Sequence, residues 1–305
     1  MTAAQRGILY GLLAAAIWGG MYIVSDLVLP IVPPFLLLTI RLLLGALVLA
    51  LLVYTRRSQL RRPARGEIIQ LLAVGFLGFG ISVGAQFVGT DESTAVNGAL
   101  VTSAAPAFIL VFAALFLKER LTLQRIAAVL LASIGVLVIV DPTQADFSSA
   151  AFRGNVALAA AAITWGLYSI MVRKVSAQVD TLIVTLVGFL GGLLLTIPAA
   201  ALESFGRPVG SIDALVVLGI LYLGVVSTAG AMWLWNRAFA LVDASTASLC
   251  FFAQPLVGAV LGVFIGQPIT PSLWIGGLFI GVGVLLALRP SRKVPFRAQS
   301  SSEVS

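Results

Sequence analysis

The chain has 305 residues, of which 60% are apolar and 10% charged, and its mean hydropathy is +1.08. No globular surface can be covered with polar groups at that composition, so the soluble classes are excluded and lipid is the expected solvent. The net charge of +7 does not call for nucleic acid, because the basic residues fall almost entirely in short loops between apolar runs, the pattern that orients a membrane protein.

A helix needs about 20 apolar residues to cross roughly 30 Å of hydrocarbon. Ten such runs are predicted, at about 7–26, 34–54, 67–89, 94–117, 123–140, 154–172, 181–202, 213–236, 244–265 and 271–288. Arg6 ahead of the first run imitates a secretory signal. That run is too long for one and has a counterpart at 154–172, so it counts as the first span. The counterpart is close in detail. Arg6-Gly7 followed by Ala14-Ala15-Ala16-Ile17-Trp18-Gly19 returns about 147 residues later as Arg153-Gly154 followed by Ala161-Ala162-Ile163-Thr164-Trp165-Gly166. An odd number of spans separates the two starts, so the copies run in opposite directions, a construction typical of secondary transporters. The expected fold class is therefore an all-α integral membrane protein with ten transmembrane helices, arranged as two inverted five-helix repeats around a central cavity. Residues 1–141 form the first repeat, 153–290 the second and 291–305 a cytoplasmic tail.

With the N-terminus in the cytoplasm, sixteen of the nineteen Lys and Arg residues fall on the inner side; Arg153 and Arg207 fall outside, and Arg41 is within a span. The positive-inside rule then places both termini in the cytoplasm. The turn after span four, Lys118-Glu119-Arg120-Leu121-Thr122, keeps its charges, whereas the matching turn after span nine, Gly266-Gln267-Pro268-Ile269-Thr270, has lost them. Opposite exposure of the two turns explains that loss.

Pro106 in span four matches Pro255 in span nine, each eleven residues after an alanine, Ala95 and Ala244. Proline removes a donor and kinks a helix; static curvature is one reading, and duplication at one depth favours a pair of hinges. Glycines recur every four residues at Gly258, Gly262 and Gly266, at Gly188 and Gly192, and at Gly80 and Gly84, a spacing that lets helix backbones approach in lipid.

Candidate cavity residues follow from depth and polarity. Trp18 and Trp165 each lie roughly 16 Å into their spans from opposite sides, although tryptophan ordinarily prefers the interfaces. Tyr22 stands one turn beyond Trp18, and Ser169 takes its repeat position. Arg41 is the sole cation within a span, so it is expected to face the bundle interior, water or a partner; it either grips a carboxylate or lines the outer gate, or it snorkels outward or bonds helix-end carbonyls. Gln254 beside Pro255, and Ser82 with Gln86 on one face of span three, complete the set. Asn97, Thr102 and Ser103 are weaker candidates, since small polar residues often bond their own helix. Trp233, Trp235, Asn236 and Arg237, like Trp274, read as an interfacial aromatic belt.

All twelve acidic residues sit at span ends, in loops or in the tail, and histidine is absent. A mid-membrane proton carrier is therefore not expected; downhill export, or coupling through an end-of-span group such as Asp26, remains. The single cysteine, Cys250, lies in an apolar run and is assigned to packing. No Walker site, catalytic pair or metal cluster can be assembled within the spans, so no enzyme, cofactor or metal is expected.

The Ile17-Trp18-Gly19-Gly20 segment, the helix from Ala99 to Pro106 ending in Lys118-Glu119-Arg120-Leu121-Thr122, the Gly135-Val136-Leu137 stretch, and Met232-Trp233-Leu234-Trp235-Asn236-Arg237-Ala238 followed by Asp243-Ala244-Ser245 resemble the EamA family of drug/metabolite transporters. In overall character the chain looks most like YddG-type amino-acid exporters within that family. The resemblance implies export of small metabolites or amino acids across the bacterial inner membrane, with a small amino-acid-like solute and the bilayer as partners; two fused halves fit a monomer. Gln267 stands where the family pattern has a glutamate. A multidrug or cationic-compound carrier and a channel are the alternatives, the first weakened by the lack of a membrane-embedded glutamate.

Overall fold

The computed structural model describes residues 1–93, 103–140, 143, 145–264, 266 and 271–288. Among them the regular elements are all helical. The first half comprises α1 (Ala3–Val28), α2 (Pro34–Thr55), α3 (Arg65–Asp91), α4 (Ala105–Leu117) and α5 (Leu123–Val140). The second comprises α6 (Phe152–Val175), α7 (Thr181–Glu203), α8 (Ala214–Leu241), α9 (Ala244–Phe264) and α10 (Pro271–Leu288). Eight of these are long and apolar enough to cross a membrane, with α4 and α10 as shorter apolar helices. The expected start of α4, with Ala95, Asn97 and Thr102, lies outside the described residues, as do Gln267 and the tail.

The helix ends explain where the acidic residues went. Thr2 and Gln5 form a reciprocal capping box at the start of α1, while Asp180 and Asp213 cap α7 and α8 through Leu182 N and Val216 N. Such oxygens satisfy N–H groups that a helix leaves without partners. Two caps are supplied from far along the chain: Glu203, ending α7, accepts from Phe35 N and Leu36 N of α2, and Glu119, following α4, does the same for α9.

Packing repeats itself between the halves. Helix α1 packs on α8 and α9, and α6 packs on α3 and α4; α3 packs on α7, and α8 on α2; α2 pairs with α7, and α5 with α10. With α6–α10 taken as counterparts of α1–α5, every one of these contacts has its mate. Leu47, Leu51, Leu115 and Leu194 are exposed on the outside of the bundle, as lipid requires.

Two features set how tightly the centre is wound. At Gly75 and Gly191 the backbones of α3 and α7 meet: a Cβ on Gly75 would fall on the Gly188 carbonyl, and one on Gly191 on the Leu72 carbonyl. Second, α3 over Phe76–Ser82 and α8 over Tyr222–Gly230 widen into π-helical turns. These segments are repeat counterparts, about 146 residues apart, and π segments inside α-helices frequently mark functional sites. The sequence reading treated Gly80 and Gly84 as packing residues and did not foresee the change of winding.

The two repeat-related prolines, Pro106 and Pro255, sit at breaks, whereas Pro198 lies inside the continuous helix α7. Pro106 is the second residue of α4, directly after a turn at Ser103–Ala104, and Pro255 follows a 3₁₀ stretch, Cys250–Phe252, within α9.

Candidate functional site

A cavity of about 90 Å³ opens among α1, α2, α3, α4, α6, α8 and α9. That is room for several water molecules, each needing on the order of 10–15 Å³ by this measure. Ser25 and Asp26 of α1, Leu29 just beyond it and Thr90 of α3 line the cavity near the ends of those helices farthest from the N-terminus, where Asp26 is exposed and marks its mouth. Its floor is aromatic. The Trp18 ring lies 5.9 Å from Trp165 at 77°, 5.3 Å from Trp235 and 6.0 Å from Phe251, and Trp235 lies 5.6 Å from Phe251. Edge-on and tilted pairs at these distances add to the burial they provide.

The repeat thus delivers Trp18 and Trp165 to one place, but with different partners. Trp18 Nε1 donates to the Ser227 carbonyl at 3.1 Å. That carbonyl lies in the π turn of α8, where widened winding changes which main-chain oxygens are spoken for. Trp165 Nε1 is buried and has no acceptor among the described residues. Arg41, buried in α2, donates through Nε to Thr228 Oγ1 at 3.0 Å and through Nη2 to the Met21 sulfur at 3.2 Å, and its guanidinium carbon lies 5.7 Å from the Phe87 ring centre.

Ser82 lines the wall while donating to the Ala161 carbonyl at 2.8 Å, Gln86 lines it one turn on, and Gln254 lines it with an Oε1 that no donor among the described residues reaches. Ser169 stays outside the cavity lining: it is fully buried, with its hydroxyl on the Trp165 carbonyl at 2.9 Å. The Tyr22 side chain lies outside the described set.

The belt reading needs correction for Trp235 and Asn236, both 0% exposed. Asn236 accepts from the Tyr168 hydroxyl at 3.0 Å and donates to Thr185 Oγ1 at 2.9 Å, joining α6, α7 and α8. Trp233 is half-buried with its ring 6.1 Å from that of Tyr10, and Trp274 is 72% exposed. Sequence reasoning also missed Met21, Phe87, Met232 and Phe251 as wall residues. The repeat would have found one polar element: the π turn holding Ser227 and Thr228 stands opposite its glycine-rich counterpart in α3.

Below the aromatic floor, on the face bearing the N-terminus, the two halves are latched. The Glu119 carboxylate accepts from Ala244 N (2.8 Å), Ser245 N (3.1 Å) and Ser245 Oγ (2.5 Å). Arg125 reaches Glu119 at 3.7 Å and Asp243 at 2.9 Å. A charged oxygen on a helix's first N–H groups is favoured by both hydrogen bonding and the helix dipole.

A profile of the EamA-like transporter family matches the chain twice, over residues 5–141 and 152–289. The chain belongs to this family. An uncharacterized transporter of Archaeoglobus fulgidus is 26% identical over 277 residues, covering 90% of this chain and 94% of that protein. The uncharacterized inner membrane transporter YicL of Salmonella typhimurium is 28% identical over 306 residues, covering 96% and 98%. A solved crystal structure, 24% identical, superposes with a TM-score of 0.80 over 93% of this chain and 96% of its own, and shares the fold. As an EamA-like transporter the chain is a multi-pass membrane protein, and the Glu119 latch joins its two family repeats.

The latch makes a direct prediction. Glu119→Ala leaves the first N–H groups of α9 unpaired, a loss of about 1–3 kcal/mol. Cys250, buried in α9 with its thiol toward the Ile8 carbonyl of α1 at 3.7 Å, should then react faster with a permeant maleimide. An unchanged labelling rate would refute the latch.

Proposed function

We propose that this protein is a secondary transporter that exports small amino-acid-like metabolites, aromatic or otherwise neutral, across the cytoplasmic membrane of a bacterium by alternating access. In this reading ten helices cross the bilayer as two inverted five-helix repeats, α4 and α10 included, with both termini in the cytoplasm and one chain as the working unit. The observation that carries it is a cavity lined by both repeats, with a tryptophan from each packed against the other. Duplicated halves around a central site are the means by which one site is shown to two sides in turn. Pro106, Pro255 and the paired π turns are the places where α3, α4, α8 and α9 would bend.

The orientation rests on the distribution of Lys and Arg. On that orientation the described conformation faces outward and the Glu119 latch closes the cytoplasmic side. Cationic drug efflux fits less well, since the charged residue buried in the wall is Arg41, while Asp26 is exposed at the mouth.

Proteoliposomes loaded with single common amino acids and assayed for counterflow test the proposal. Saturable exchange of at least one neutral or aromatic amino acid is expected; flux that never saturates makes the protein a channel, and no flux with any of them overturns the reading. Energy coupling is tested alongside. Asp26→Asn should preserve downhill exchange and abolish accumulation driven by a pH gradient, so gradient-driven accumulation that survives the substitution contradicts both coupling routes.

A further inference from the structure

Resting on the transport reading above, we infer that the cavity selects organic monocarboxylates with an apolar body, held by the Arg41 guanidinium, and that an amino group on the substrate is dispensable. Arg41 is 3% exposed yet lines the cavity. Of its five N–H donors, one is spent on Thr228 and one meets only the soft sulfur of Met21. Thr228 gives its own hydroxyl hydrogen to the Leu223 carbonyl at 2.7 Å, across the π turn of α8. Its lone pairs therefore face Arg41 and fix the plane of the guanidinium. Arg41 makes no ion pair among the described residues, and its remaining donors have no protein acceptor there.

A buried cation without a counter-ion carries an uncompensated desolvation cost. A carboxylate removes that cost and fits the planar fork with two parallel bonds. The other end of a substrate meets a different environment. The aromatic rings of Trp18, Trp165 and Phe251 offer an apolar wall, and the polar groups beside them, Ser25, Ser82, Gln86, Thr90 and Gln254, are all neutral. The one carboxylate in the lining, Asp26, is exposed at the mouth. An ammonium group thus gains little, whereas loss of the carboxylate leaves Arg41 unpaired.

Calorimetric titration of the full chain in detergent with phenylalanine, 3-phenylpropionate and phenethylamine at neutral pH tests this. The two carboxylates are expected to bind within about tenfold of each other and phenethylamine at least about tenfold more weakly. Arg41→Gln should weaken both carboxylates by roughly 10- to 100-fold, with the size-exclusion profile unchanged, and Arg41→Lys should restore only part of the loss.

Phenethylamine binding as tightly as the acids overturns the inference, as does failure of 3-phenylpropionate where phenylalanine binds, absence of binding by all three, or a folded Arg41→Gln chain with unchanged carboxylate affinity. The ligand comparison on the unmodified chain decides the matter even where the variant does not fold. Carboxylate binding without saturable counterflow refutes the transport reading and leaves this inference standing; saturable counterflow with no preference for the carboxylate does the reverse.

Discussion

Gly75→Ala is expected to destabilise the protein sharply. The added methyl would lie on the Gly188 carbonyl, and the neighbouring contact of Gly191 with Leu72 prevents α7 from sliding aside. Overpacking by a methylene usually costs about 1–3 kcal/mol because side chains give way; here the obstacle is main chain, so the cost sits at or above that range. Lipid offers no hydrophobic force to hold α3 and α7 together once close contact is lost. A fall in melting temperature on the order of 10 °C in detergent is expected, with loss of the monodisperse peak. Gly66→Ala, where an added Cβ meets nothing within 4 Å, is the control. A Gly75→Ala protein that melts within about 2 °C of its parent would show that the two backbones are not in contact in the membrane.

Trp235→Ala should be at least as damaging and should change function as well. Trp235 is fully buried beneath Trp18 and Trp165 and packs on Phe239 and Phe251. Truncating a buried tryptophan costs about 3–5 kcal/mol, part of it from the space left behind. That space adjoins the cavity floor, so water gains a path toward the latched face. In proteoliposomes the variant should lose counterflow and show either leak or no flux. Trp274→Ala, at an exposed position, should stay within about 0.5 kcal/mol of the parent. Equal behaviour of the two variants would return Trp235 to the interface, where its sequence position alone puts it.

That contrast shows what the sequence can and cannot express. Trp18 and Trp165 were legible because the repeat doubles them and apolar run length fixes their depth. Arg41 was legible because a lone cation in a span needs an inward home. Trp235 and Asn236 were not: they lie near the end of a run, and distance from the end cannot say which way a helix face turns. Asn236 finds Tyr168 and Thr185 only after α6, α7 and α8 meet, contacts separated by more than fifty residues. The π turns were hidden for a different reason, since apolar periodicity reports burial and carries no record of whether a carbonyl bonds four or five residues on. Their glycines were visible, and so was the offset between the halves. Ser169 followed the repeat to Tyr22's position, yet its hydroxyl turned back on its own helix, a local choice available to any serine.

The Glu119 latch has an energetic consequence for the proposed transport cycle. The matching sequence position in the second repeat is Gln267, an uncharged amide, so only the first repeat carries a carboxylate there. Under the alternating-access proposal, an unloaded carrier held shut at the N-terminal face by the Glu119 clasp spends most of its time turned away from that side. A solute arriving there finds only a minority of molecules ready, and its apparent affinity falls in proportion to that fraction, about tenfold for each 1.4 kcal/mol of bias. Weak apparent affinity on one side and strong on the other would then be built into a single binding site by one carboxylate.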